Sequence, residues 1–132
     1  MFFIFNININ NSFSVISEKK VVIKNNVLIG FNCVITDSNF HDLNPKNRMV
    51  TDPNPESVVI EENVFIGNNV TIGDDCLIHS NVCIYDNTII GNNVTIHAGT
   101  VLGSDAFYYK NRPEYFDKLL SGGNVVIEDN VD

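Results

Sequence analysis

A bulky aliphatic returns at every sixth position along the middle of this chain: Ile60, Ile66, Ile72, Ile78, Ile84, Ile90, Ile96 and Leu102. A second series trails it by four residues through Val64, Val70, Cys76, Val82, Thr88, Val94 and Thr100, all small or β-branched. Ile23, Ile29 and Ile35 keep the same beat upstream, and Ile127 restarts it downstream. A six-residue period suits neither an amphipathic helix, with its period of about 3.6, nor a plain alternating strand. It suits a short strand followed by a corner, repeated, with one aliphatic turned inward each time. The corner slots agree: "GNN" at Gly67 to Asn69 and Gly91 to Asn93, and "GDD" at Gly73 to Asp75. Gly, Asn and Asp are the residues that accept left-handed backbone at a tight corner.

This pattern resembles the hexapeptide-repeat proteins. The resemblance implies an all-β fold, a left-handed parallel β-helix of triangular section with three hexapeptides per coil and about four to five coils; the handedness is implied by the family alone. One 18-residue coil then sets three faces. Ile23, Ile60, Ile78 and Ile96 share the first, Ile29, Ile66, Ile84 and Leu102 the second, and Ile35, Ile72, Ile90 and Ile127 the third. Residues 1–132 form a single domain, with 1–20, including Phe13 and Ile16, supplying an irregular first coil or cap. Two interruptions stand out, because 25 positions separate Ile35 from Ile60 and 25 separate Leu102 from Ile127 where the beat needs six. Each therefore hides an insertion of 19 residues, giving protruding loops at 37–57 and 104–124 that leave from different corners. Long loops on a compact repeat usually carry function. The sequence ends on the beat at Asp132, so the last coil is expected to need a partner or a continuation of the chain to cover its edge.

The formal net charge of -8 argues against nucleic acid, which needs a basic face. All eight basic residues fall in three places, around Lys19 to Lys24, at Lys46 and Arg48, and at Lys110, Arg112 and Lys118. An anionic ligand must therefore be met by the loops or by backbone N–H groups. No apolar run reaches the ~20 residues of a membrane helix, and the opening "MFFIFNININ" lacks the basic residues of a signal peptide. No membrane insertion and a cytoplasmic location are the expectations. Cys33, Cys76 and Cys83 are too few and scattered for a disulfide framework and sit where the repeat wants a small apolar residue.

Residues 37–72 resemble the sugar and lipopolysaccharide O-acetyltransferases within the hexapeptide class. The carriers are "DSNFHDL" (Asp37 to Leu43), then Arg48, then the return "PESVVIEENVFIGNNVTI" (Pro55 to Ile72). The resemblance implies an acetyl-CoA donor; no metal is expected, because His79 and His97 have no visible third ligand. His41 would be the general base, Asp37 or Asn39 its orienting or acceptor contact, and Arg48 a loop or substrate anchor. A neutral imidazole suits that task at physiological pH. The family's CoA-contacting stretch falls on Phe65, Asn68 and Asp86. Phe65 stands where that family often has Trp, and Asp86 is an unusual neighbour for an anion.

Residues 77–132 resemble a second branch, the UDP-3-O-acylglucosamine N-acyltransferases of lipid A synthesis, through "GSDAF" (Gly103 to Phe107) and the return "GNVVIEDNV". On that likeness Phe107, Tyr108 and Tyr109 would contact substrate. His79 and His97 are one coil apart and should stack on one face. The expected activity is CoA-dependent acetyl transfer to a sugar or nucleotide-sugar hydroxyl or amine by a homotrimer. The alternatives are an N-acyltransferase of the lipid A type or a truncated, non-catalytic β-helix scaffold.

Overall fold

The computed structural model describes residues 2–4, 8–9, 14–38, 45–47 and 55–132. Seventeen strands appear among them. The first coil runs through β1 (Phe2–Ile4), β2 (Asn8–Ile9) and β3 (Ser14–Ile16), and the second through β4 (Val21–Ile23), β5 (Leu28–Ile29) and β6 (Val34–Thr36). The third takes β7 (Val58–Ile60), β8 (Phe65–Ile66) and β9 (Thr71–Ile72), the fourth β10 (Leu77–Ile78), β11 (Cys83–Ile84) and β12 (Ile89–Ile90). The fifth has β13 (Thr95–Ile96) and β14 (Val101–Leu102). It then breaks out into a hairpin of β15 (Tyr109–Asn111) and β16 (Phe116–Lys118) before closing on β17 (Val126–Ile127).

Three five-stranded parallel sheets result, ordered β1-β4-β7-β10-β13, β2-β5-β8-β11-β14 and β3-β6-β9-β12-β17. This is the parallel β-helix that the six-residue period predicts, with the left hand that the family resemblance implies. Its registers put the aliphatics one above another: Ile23↔Ile60, Ile60↔Ile78 and Ile78↔Ile96 on the first face. Ile29↔Ile66, Ile66↔Ile84 and Ile84↔Leu102 align on the second face, and Ile35↔Ile72, Ile72↔Ile90 and Ile90↔Ile127 on the third. Each 19-residue insertion is absorbed at its own corner without shifting a register. The opening segment extends the same ladders, pairing Ile4↔Ile23, Ile9↔Ile29 and Val15↔Ile35. Val15 holds the ladder position there, while Ile16 is 47% exposed.

From Ile23 to Ile90 the inward isoleucines are completely or almost completely removed from solvent, as are the trailing Val27, Cys33, Val64, Val70, Cys76, Val82 and Val94. Burying each such side chain is worth about 1.5–3 kcal/mol, and parallel strands about 4.8 Å apart bring each into contact with its copy above and below. Cys33 and Cys76 fill the same slots, and their thiols donate to Gly67 O at 2.9 Å and Gly91 O at 3.1 Å. Burial pushes the Cys76 thiol up to about 11 and raises Cys33 in the same direction, so both stay protonated core groups.

The corners are built by a second rule. The third residue after nearly every inward aliphatic has positive φ: Asn26, Asn32, Asn63, Asn69, Asp75, Asn81, Asn87, Asn93 and Asn130, all between 51° and 62°. Gly99 takes that slot after Ile96 with φ 78°. Asn accepts this backbone at lower cost than most residues, and its amide adds a bond along the stack. Asn32 Nδ2 donates to Asn69 Oδ1 at 3.3 Å, Asn69 Nδ2 to Asn87 Oδ1 at 3.0 Å, and Asn93 Nδ2 to Asn130 Oδ1 at 2.8 Å.

One residue earlier in the corner, a side chain clips the coil before it. Asn68 Oδ1 accepts from Phe31 N, Asp86 Oδ1 from Asn68 N, Asn92 Oδ1 from Asp74 N and Asp129 Oδ1 from Asn92 N, at 2.7–3.1 Å. The clip needs an empty neighbour. A Cβ on Gly67 would lie 2.3 Å from Asp86 Oδ1, and one on Gly73 2.2 Å from Asn92 Oδ1. Glycine is required there for close approach.

Two substitutions separate these rules. Ile66→Ala opens a cavity in a column with no room to collapse and is expected to cost about 2–5 kcal/mol in urea unfolding. Asn69→Gly keeps the left-handed corner but loses the amide ladder, whereas Asn69→Ala loses both. The Ala variant should be less stable than the Gly variant by about 1 kcal/mol; equal stabilities would show that backbone conformation is not what selects Asn.

Candidate functional site

The first loop leaves β6 and returns to β7, and its root is firmly built. Asp37 is fully buried. Its Oδ1 accepts from Glu18 N at 2.7 Å, and its Oδ2 from Ser17 Oγ at 2.8 Å and Lys19 N at 3.0 Å. Ser38 Oγ donates to Glu18 Oε2 at 2.7 Å. The two stems meet where Glu56 N donates to Asp37 O at 3.1 Å, and Lys19 pairs with Glu56 at 2.5 Å. Asp37 thus ties the loop to the corner at residues 17–19. His41, Asn39 and Arg48 lie outside the described residues; between them, Pro45–Asn47 forms a single 3₁₀ turn.

The second insertion is an arm. After Gly103 the chain rises into the β15–β16 hairpin, closed by Arg112 Nη2 on Asp117 Oδ2 at 3.1 Å. Lys118 Nζ reaches Asp105 Oδ2 at 2.7 Å, which raises the Lys118 ammonium above its ordinary value. Phe107 and Tyr109 meet with ring centroids 5.0 Å apart and line an apolar hollow of about 400 Å³ with Asn111 and Phe116. Tyr108 is exposed on the same arm.

At the foot of the arm lies the larger cleft, about 650 Å³, along the corner between the second and third faces. Phe65 and Tyr85 form an edge-to-face pair with centroids 5.6 Å apart. Asp86, Asn87 and Gly103 to Asp105 supply one wall, and Ser121 and Gly123 the other. Phe65 and Asp86, both expected at a cofactor contact, are therefore brought together. Asn68 adjoins them, but it and Asp86 bind each other: Asn68 N and Nδ2 donate to the two carboxylate oxygens at 2.8 and 3.0 Å. These bonds, the backbone one foremost, hold the Asp86 carboxyl below its ordinary 3.8. An ionised carboxylate in this wall repels a phosphate or pyrophosphate group.

The side chains that sequence reasoning missed here are Tyr85, Asn87, Ser104, Asp105 and Ser121. Tyr85 had a visible signal, since Gly30, Gly67 and Gly103 occupy the same corner slot in other coils. The arm's return gave none, because it has no repeat to count against.

At the corner after the first face, charged and imidazole side chains replace that glycine. Lys24, Glu61, His79 and His97 follow one another up the stack. Lys24 Nζ lies 3.3 Å from Glu61 Oε1, and Glu61 Oε2 accepts from His79 Nδ1 at 3.2 Å. The His79 and His97 rings stack with centroids 5.6 Å apart and 15° between planes, and His97 Nε2 meets Asp132 Oδ1 at 2.5 Å. The His79 bond, then Lys24, lowers the Glu61 carboxyl below its ordinary 4.5. Among the described residues no three His, Cys, Asp or Glu side chains are grouped to hold a metal ion, and no helix is long and apolar enough to cross a membrane.

Asp86 and Glu61 bind protons more weakly folded than unfolded. Their contribution to stability is therefore present above the unfolded values, 3.8 for Asp86 and 4.5 for Glu61, and is lost as pH falls through the lower folded values. Urea midpoints should fall on acidification below about pH 4.5. Asp86→Asn, which retains an acceptor oxygen for Asn68 N, should flatten that fall; an unchanged slope would contradict the assignment.

Residues 57–84 and 69–104 match the family model described as bacterial transferase hexapeptide (six repeats). The matched stretch covers β7 to β14, the part of the helix that carries Phe65, Asn68 and Asp86, and ends where the arm begins. No curated protein matches the sequence closely enough to serve as a relative. The description of that family names a transferase.

Proposed function

We propose that the protein is a CoA-dependent acyltransferase that moves an acetyl group from acetyl-CoA to a hydroxyl or amino group of a sugar-like acceptor. The observation that carries this reading is the hexapeptide transferase match over 57–104, on a helix whose two insertions both leave at corners. His41 is the proposed base. Its imidazole takes the proton as the acceptor oxygen or nitrogen attacks the thioester carbon. The C–S bond then breaks, and the leaving thiolate recovers the proton from the imidazolium. Asn39 is the proposed orienting or acceptor contact and Arg48 the anchor. Asp37, with three donors already on its carboxylate, has the part of holding the loop root in place.

In this reading the donor lays its pantetheine arm past Phe65 and Asn68, while Lys46, Lys110 and Arg112 meet its phosphates, because residues 57–109 contain no Lys or Arg. Phe107, Tyr108 and Tyr109 remain proposed substrate contacts on the arm. The loop bearing His41 leaves the third face and the cleft borders the second, so a homotrimer belongs to the same proposal: one copy's loop would serve its neighbour's cleft. Exposed Leu28, Ile89, Val101 and Val126 on the strands offer apolar surface for that assembly.

Thiol release from acetyl-CoA, measured across a panel of sugars, amino sugars and nucleotide sugars, tests the activity. Turnover with at least one acceptor is expected, and His41→Ala should lower it about 10²–10⁴-fold. Undiminished turnover in that variant removes His41 as base. Failure of every acceptor, with a monomeric mass by light scattering, favours a non-catalytic scaffold.

A further inference from the structure

Asp86 is ionised, lies at the wall of the 650 Å³ cleft, and among the described residues its carboxylate bonds only the neutral amide groups of Asn68. Asp105, the second carboxylate there, is different: Lys118 neutralises it at 2.7 Å. The cleft thus keeps one negative charge with no cationic partner among the described residues. Around it stand hydroxyl and amide groups. Ser121 Oγ accepts from Ala106 N at 3.3 Å and retains its proton to donate, and Ser104 and Asn87 line the same space. The Phe65–Tyr85 pair offers a ring face and edge beside them. Aromatic carbon, several hydroxyl-bonding groups and one unneutralised carboxylate together describe a ligand with C–H faces, hydroxyls and a positive charge.

We propose that this cleft binds a hydroxyl-rich ligand carrying an ammonium group, an amino sugar in its chemistry, and rejects the same skeleton when it carries phosphate. Its identity as the acceptor rests on the transferase reading; its binding does not. The ammonium sits against the free lone pairs of Asp86, the hydroxyls meet Ser104, Asn87 and Ser121, and the sugar ring lies on Phe65 and Tyr85. A phosphate in that position would face Asp86 with no cation to offset it.

The corner architecture supplies a clean variant. Asn68 and Asn92 make the same corner clip through an amide oxygen that Asp86 makes through a carboxylate, so Asp86→Asn removes the charge and keeps the acceptor for Asn68 N, giving up the second bond from Asn68 Nδ2. Amide chemical-shift titrations of the full chain with glucosamine, glucose and glucose 6-phosphate test the proposal. Glucosamine should shift Asp86, Asn87, Gly103, Ser104 and Gly123 most tightly, glucose about three- to fivefold more weakly, and glucose 6-phosphate not at all in this region. Asp86→Asn should equalise glucosamine and glucose. Equal or tighter binding of glucose 6-phosphate, shifts that map elsewhere, or a preference for glucosamine that survives in Asp86→Asn would overturn it. Cleft binding without thiol release from acetyl-CoA would sink the transferase reading alone, while turnover of an amino sugar whose shifts map elsewhere would sink the cleft alone.

Discussion

Everything in this molecule hangs on the corner. A chain that must turn after every two or three strand residues needs left-handed backbone at each turn, and here asparagine supplies it almost throughout. The choice has a second effect, since the same amides bond along the stack and fix the register of one coil on the next. With register fixed, the isoleucines fall into vertical columns, and core burial follows from corner geometry rather than from any long-range search. The clip from Asp86 to Asn68 and its counterparts tightens this further by placing a side chain where only glycine leaves room.

Such a frame tolerates insertion at corners and little else. Nineteen extra residues enter twice, and the strands before and after still pair as if nothing had intervened. The strand positions are committed to packing, so chemistry has to live at corners and in what grows from them. The three corners are accordingly unlike. One carries the Lys24, Glu61, His79 and His97 column, another roots the loop that contains His41, and the third opens into the aromatic and acidic cleft beneath the arm. The scarcity of basic side chains along the body leaves anion recognition to the loops or to backbone N–H groups.

The fold was legible because its signal is periodic. Ile60 to Leu102 sets the phase, and the two 25-residue gaps could be measured against it, so all three aliphatic columns were assignable before any coordinates. The first coil was harder to read, because Ile4, Ile9, Val15 and Ile23 are five, six and eight residues apart; only strand pairing reveals the continuity. The site was less legible for a physical reason. Asp37 and Asp86 have the residue types of chemistry, yet Asp37 is buried under three donors from residues 17–19 while Asp86 takes one bond on each oxygen from Asn68 and stays exposed, and a sequence does not show who donates to whom. Tyr85 and Ser121 line one cleft because the arm folds back, a juxtaposition that no repeat encodes.

Transfer of the acyl group itself is the central claim, and the fate of the acetyl carbon tests it most directly. The protein would be incubated with acetyl-CoA labelled with ¹³C in the acetyl group together with a mixed sugar and amino-sugar pool, and the products read by mass spectrometry. The account predicts label on an acceptor hydroxyl or amine in step with CoA release. Label appearing only as free acetate, or remaining on CoA, would contradict it.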